Sequence, residues 1–152
     1  MVLPKVSPKP FPDIEVLLLN WFTGQQNLEQ NAVIADVRFC TDLPYILPPD
    51  TGEVWARINR VSGATRSYFV DRPIVDVDVY SFDRDLAFAV AQACECLLLW
   101  QLRGSSQPEG TVQTVTVVAG PRWIPDENQD ISRFGASYEL HAKPSPGPAS
   151  SG

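Results

Sequence analysis

Three cysteines and a single histidine are all that the 152-residue chain offers for thiol or imidazole chemistry. Cys40, Cys94 and Cys96 are odd in number, and the last two lie two apart in a predicted helix, so they point to different sides. Neither a disulfide framework nor a zinc spacing fits them, which leaves reduced core thiols of a protein made in a reducing compartment. His141 falls on the polar face of the last predicted strand with no nucleophile or acid marked out beside it. It reads as a surface histidine. Ser132 and Ser137 lie outside any G-x-S-x-G elbow, and Gly63 and Gly104 belong to no phosphate-binding loop. Hence no enzyme activity, metal or cofactor is expected. The apolar runs are short: Leu86 to Ala91 and Leu97 to Trp100 are each no more than about a third of what spanning a bilayer needs. Pro4, Pro8, Pro10 and Pro12 interrupt the N-terminus where a signal peptide would need an apolar core. A soluble protein without a membrane partner is the expectation. Basic blocks are missing too. Twelve Lys and Arg stand against eighteen Asp and Glu, for a net charge of −6 and a pI near 4.6. Only Arg103, Arg122, Arg133 and Lys143 follow position 102, scattered, so no phosphate-binding surface can be read.

What remains is a composition of 44% hydrophobic and 20% charged residues. That is ordinary for a globular protein, and the length suits one domain. Residues 1–12 read as a Pro-punctuated extended arm, 13–143 as the folded domain, and 144–152 (PSPGPASSG) as a tail too poor in apolar residues to order itself. The domain is organised around the stretch 72–103. Its first half alternates, with Val75, Val77 and Val79 opposite Asp76, Asp78 and Tyr80, as in a half-exposed strand. Asp83 then caps a helix in which only Gln92, Glu95 and Gln101 are polar between Leu86 and Leu102. A surface helix normally keeps about half its circumference polar. A sheet can cover one side of this helix, and a partner is expected to cover the other.

In chain order, Pro12 and Asp13 open a first helix, stopped at Gly24, whose stripe Ile14, Leu17, Leu18, Trp21 and Phe22 marks its buried side. Ala32 to Phe39 and Glu53 to Val61 read as strands, followed by the strand and helix at 72–103. Gly104 to Gly110 reads as a flexible turn, and Thr111 to Ala119 and Arg133 to Lys143 as the last two strands. In the last, Phe134, Ala136, Tyr138, Leu140 and Ala142 face one way and Arg133, Ser137, Glu139, His141 and Lys143 the other. The order α-β-β-β-α-β-β, without a βαβ alternation, predicts an α+β domain with a mainly antiparallel sheet and both helices on one face.

Asp76 and Asp78 form a carboxylate pair separated by roughly 6.6 Å along their strand. That spacing suits a pair of acids or a cation, but no third ligand accompanies them, and two solvated aspartates explain them as well. Two Pro-rich loops, 40–52 and 120–130, carry apolar and aromatic residues. Tyr45 lies in the first. In the second, Pro121 and Pro125 stiffen the backbone around Arg122 and Trp123, residue types enriched at interface hot spots. With Trp100 on the helix, these are the candidate subunit or partner contacts.

The run WARINRVSGATRSYFVDRPIVDVDVYSFDRDLAFAVAQACECLLL, with GPRWIPDENQDISRFGASYEL after it, resembles the tail terminator proteins of long-tailed phages, especially those infecting actinobacteria. A strand ending in V-x-G precedes a D-R-P-x-V-D-V-D-V strand and an Ala-rich helix, and a P-R-W-x-P-D-E-N loop leads into R-F-x-A-x-Y-x-L. The resemblance covers about residues 13–143 and is weakest at 40–52 and 144–152. It implies a structural virion protein, assembled in the host cytoplasm, that forms a hexameric ring at the head-proximal end of the tail. Such a ring ends polymerisation of the tail tube protein and joins the tail to head-completion or stopper proteins. DNA passes through its lumen without specific binding. On this reading Asp76 and Asp78 contribute an acidic lumen surface. Rings arise from head-to-tail contacts between two unlike patches, for which helix 86–102 and loop 120–130 are the candidates. Alternatives are another head–tail joining protein, either a stopper or a tail tube subunit, and a small hydrolase or ligand-binding domain using the two aspartates.

Overall fold

A computed structural model describes residues 11–43, 53–63 and 70–144. Most of the expected arm 1–12, the tail beyond Pro144, and Tyr45 with most of its loop therefore lie outside the described residues. Helix α1 spans Ile14–Gln26, and the Asp13 carboxylate caps it by accepting from the backbone N–H groups of Glu15 and Val16. Its buried residues are Ile14, Leu17, Leu18, Trp21 and Phe22, the expected stripe. The helix runs past Gly24 for two more residues. The Gln26 side chain then reaches forward and donates to the carbonyls of Ile34 at 2.9 Å and Val37 at 2.6 Å.

Those bonds bear on the first miss. The expected strand 32–39 is instead a 3-10 segment, Glu29–Ile34, broken at Asn31, followed by a three-residue strand β1, Arg38–Cys40. Alternating apolar residues over so short a run fit a turn as well as a strand. Here the local amides of Gln26 and Asn31 hold the turn.

Strands β2 (Trp55–Ser62), β3 (Ile74–Ser81), β4 (Ser105–Gln107), β5 (Gly110–Ile124) and β6 (Ser132–Pro144) join β1 in one sheet of order β1-β2-β3-β6-β5-β4. All its pairings are antiparallel except β1 with β2. The predicted faces of β3 and β6 are correct. Val75, Val77 and Val79 point into the core with Phe134, Ala136, Tyr138, Leu140 and Ala142. Two expected connections are sheet: the turn 104–110 contains β4, and β5 continues to Ile124 through the first half of the loop at 120–130. Gly63, at φ +92°, turns the chain after β2, and a Cβ there would collide with the carbonyl of Arg72.

Helix α2 spans Arg84–Leu97 and ends in a wider π turn, Leu98–Leu102. Asp83 caps it at Leu86, as its position predicts. By length and composition alone, Arg84–Leu102 would pass as a membrane span. One side of it, Ala87, Val90, Ala91, Cys94, Leu98 and Leu102, is packed in the same core as α1 and the sheet. The result is the α+β architecture expected, with six strands where five are predicted and a 3-10 segment between α1 and the sheet.

Candidate assembly surface

The sheet face away from the core carries a line of charges and rings. Register places Arg38, Trp55, Tyr80 and Arg133 side by side across four strands, and Arg57, Asp78, Gly135 and Arg122 in the row beside them. The Asp78 carboxylate, only 5% exposed, accepts from Arg57 at 3.2 Å and Arg133 at 3.0 Å. Both guanidinium groups also lie over the Tyr80 ring, Arg57 at 5.7 Å and Arg133 at 5.4 Å from its centroid. Arg38 lies over Trp55 in the same cation–π arrangement. Burial and the Asp78 charge push the Tyr80 hydroxyl above its usual range against the pull of Arg133 and Arg57. Burial alone would lower Arg133, but its attraction to Asp78, Tyr80 and Asp126 raises it. Gly135 makes this packing possible. It has no side chain, and the Asp78 carboxylate and the Ile124 side chain fill the space where a Cβ would stand.

Asp76 accepts from the Ser137 hydroxyl at 2.5 Å. The picture of two solvated aspartates is thus corrected for Asp78, which is buried and held between two arginines. Among the described residues no group of three His, Cys, Asp or Glu side chains is placed to hold a metal.

The other conspicuous surface is apolar and flanks α2 on both sides. Towards the 3-10 segment, Ala89, Ala93, Cys96 and Trp100 follow one another along the helix at spacings of four, three and four. Trp100 is 80% exposed. Leu98 and Leu102 on the same π turn are buried and fix the direction in which it points. Val33, 52% exposed, stands across a groove of about 800 Å³ lined by Val37, Leu86 and Ala89 among others. A smaller hollow of about 150 Å³ lies between Val33 and Cys96. Towards β5, Phe88 packs on Phe134 with ring centroids 5.2 Å apart. Trp123 pairs with Phe134 in the sheet and so stands on the same side, 54% exposed. Val117, opposite Tyr138, extends this second patch along β5. Asp85 and Gln92, both exposed, separate the two patches on the helix.

The sequence candidates therefore divide. Trp100 belongs to the first apolar patch and Trp123 to the second. Arg122, exposed, points to the charged face and donates to the Gly135 carbonyl at 3.4 Å. Pro121 is half-buried within β5, and Pro125 is exposed just after it. Phe88 and Val33 carry no signal of exposure in the sequence. Phe88 is outside because it lies off the buried stripe of α2, and the 3-10 geometry turns Val33 outward. His141 is a neighbour of Glu139, at 3.2 Å from its carboxylate, on β6.

No family model and no curated protein matches the sequence. Among solved structures, the fold is similar to a chain in the virion of a native gene transfer agent particle. The match has a TM-score of 0.50 at 13% identity and covers 80% of this chain and 91% of the other. At that identity the likeness is one of fold.

Proposed function

We propose that this chain is a structural virion protein of the tail terminator type, a ring subunit at the head-proximal end of a phage-like tail. The observation that carries the proposal is the pair of unlike apolar patches on opposite flanks of α2. One flank docking on the opposite flank of the next copy gives a head-to-tail contact, which closes into a ring when the rotation per subunit allows. A fold shared with a virion chain and the sequence resemblance to tail terminators support the same reading. The ring is non-enzymatic and needs no cofactor. A hexamer is the expected size, and the tail tube and head-completion proteins are its expected partners.

DNA transit through the lumen draws on the overall charge of −6, since a surface of that sign does not hold phosphates. Asp78 adds little to it, because two arginines neutralise it in place. That arrangement also weighs against a carboxylate hydrolase, whose acids need freedom to exchange protons with a substrate. A stopper shares the same surface requirements and is the second reading. Light scattering coupled to size exclusion, with and without tail tubes, tests the proposal. Discrete rings, or assembly dependent on tubes, are expected. A strict monomer that never joins tubes would overturn it.

A further inference from the structure

Among the described residues, β5 has ladder partners on both sides only at Gly110–Val112, where β4 covers it. From Gln113 onward its only partner among them is β6, so the opposite edge is open until Pro121 removes an N–H donor from it. Residues 113–120 lie along this open edge; bulges after Val112 and after Val117 bound its regular stretch, Thr114–Val117, and Val117 and Val118 are exposed. A long open edge is a template for another strand, and natural proteins cover such edges or break them.

The sequence contains a segment shaped for it. In the stretch MVLPKVSPKP every proline falls at an even position: Pro4, Pro8 and Pro10. In an extended strand the N–H and C=O of one residue point to one side and those of the next residue to the other. Leu3, Lys5, Ser7 and Lys9 can therefore offer complete backbone pairs to a sheet edge while all three prolines face away, the only orientation an edge strand tolerates. The residues preceding prolines, Leu3, Ser7 and Lys9, are themselves biased to extended backbone. Side chains alternate as well: Val2, Pro4, Val6 and Pro8 make an apolar face opposite Leu3, Lys5, Ser7 and Lys9. The arm carries two lysines and no acid, and the whole chain is at −6. The arm is long enough to pair along the whole regular stretch of the edge, Thr114–Val117, which is about 14 Å long.

We propose that the arm 2–9 of one copy adds as a strand to the edge of β5 in a second copy, at its regular stretch Thr114–Val117. The chain enters the fold at Pro12, which lies against Gly110, and β4 there occupies the flank of β5 that an intramolecular arm would have to pass. Arm and edge are the two unlike halves of a head-to-tail contact, so this deepens the ring reading and rests on it for closure.

Proline itself provides the test, because its effect depends on parity. In the full chain, Lys5→Pro and Ser7→Pro each place a proline where a donor is needed, and Val6→Pro places one where none is. Size exclusion with light scattering across a dilution series should show association weakened at least tenfold by the first two and changed less than twofold by the third. Thermal melting of each variant checks that the subunit still folds. In a Cys96→Ser background, a mixture of Lys5→Cys and Thr116→Cys copies treated with a bis-maleimide should yield cross-linked pairs. Equal behaviour of odd and even proline variants overturns the proposal. So does an intrachain cross-link in the Lys5→Cys/Thr116→Cys double variant under dilution, without cross-links between copies. A closed ring indifferent to the arm refutes strand exchange and leaves the ring, whereas arm-dependent pairs that never close refute the ring and leave the exchange.

Discussion

The two faces of this molecule differ in what they leave unfinished. On the outer sheet face Asp78, Arg57, Arg133 and Tyr80 satisfy one another, and the space above Gly135 is already taken. Along the flanks of α2, by contrast, Trp100, Val33, Phe88 and Trp123 present carbon to solvent. Charge on a surface is easily mistaken for a site and apolar surface for core, and here both habits mislead. The charged cluster is a packing device for a sheet face. The apolar flanks are, on the proposed reading, where the next copy docks, since a monomer gains nothing from contiguous exposed apolar area. If this division is right, substitutions on the first face should cost folding, and those on the flanks should cost assembly only.

Asp78→Ala should have the largest effect. It leaves two partly buried guanidinium groups facing each other without the carboxylate they share, a change that costs about 3 kcal/mol when a buried pair loses one partner. Urea denaturation of the subunit should register it as a lower midpoint at unchanged slope. Asp76→Asn, which keeps a hydrogen bond to Ser137, should stay within about 0.5 kcal/mol of the parent. Equal losses for the two would erase the distinction between them. Gly135→Ala comes next. The added methyl must displace the Asp78 carboxylate and the Ile124 side chain. Overpacking of this kind costs about 2 kcal/mol. The same denaturation curves measure it, and a neutral result would show that the cluster yields more easily than its packing implies.

How legible this was in the sequence depended on whether the deciding interaction was local. Helix α1, its Asp13 cap and its buried stripe follow from spacing and capping within four residues, and they are correct in the structure. So are the faces of β3 and β6, because period-2 alternation needs no knowledge of neighbours. The strand expected at 32–39 failed because the side chain of Gln26, outside that window, claims the carbonyls of Ile34 and Val37. The loop expected at 120–130 failed differently. Pro121 reads as a strand breaker, but among the described residues β5 has no ladder partner on its outer side there, so a missing N–H costs nothing. At the site, Trp100 and Trp123 stand out by residue type alone. The burial of Asp78 could not be seen, since it needs Arg57 and Arg133 brought beside it from β2 and β6.

Trp100→Ala and Trp123→Ala probe the flanks and should have the opposite signature. Folding stability should move by less than about 0.5 kcal/mol, as for surface positions away from special features. Association should weaken by about 2 kcal/mol each, the threshold of an interface hot spot and roughly a thirtyfold change in dissociation constant. Sedimentation across a concentration series, read beside a melting curve, separates the two quantities. Loss of folding without a selective loss of association would place these tryptophans in the subunit's own core and end the contrast. If only one of them matters, the contact is not made by both flanks.

The smallest effect sharpens the contrast within a single helix turn. Cys94 and Cys96 are two residues apart, yet Cys94 is fully buried and Cys96 exposed on the first apolar patch. Burial pushes the Cys94 thiol up to about 12. Because the unfolded thiol titrates near 9, this preference for the neutral form is present in full below that pH and is lost as pH rises from 9 towards 12. At pH 8, iodoacetamide should therefore label Cys96 in the dispersed subunit and leave Cys94 untouched until denaturant is added. In the assembled state Cys96 should label several-fold more slowly than in the monomer, because the next copy covers it, while Cys40 at the far side of the sheet should keep its rate. Mass spectrometry of the three thiols across the dilution series reads all of this in one experiment. An unchanged Cys96 rate on assembly would move the contact off this flank of α2 and leave only the Trp123 side to make it.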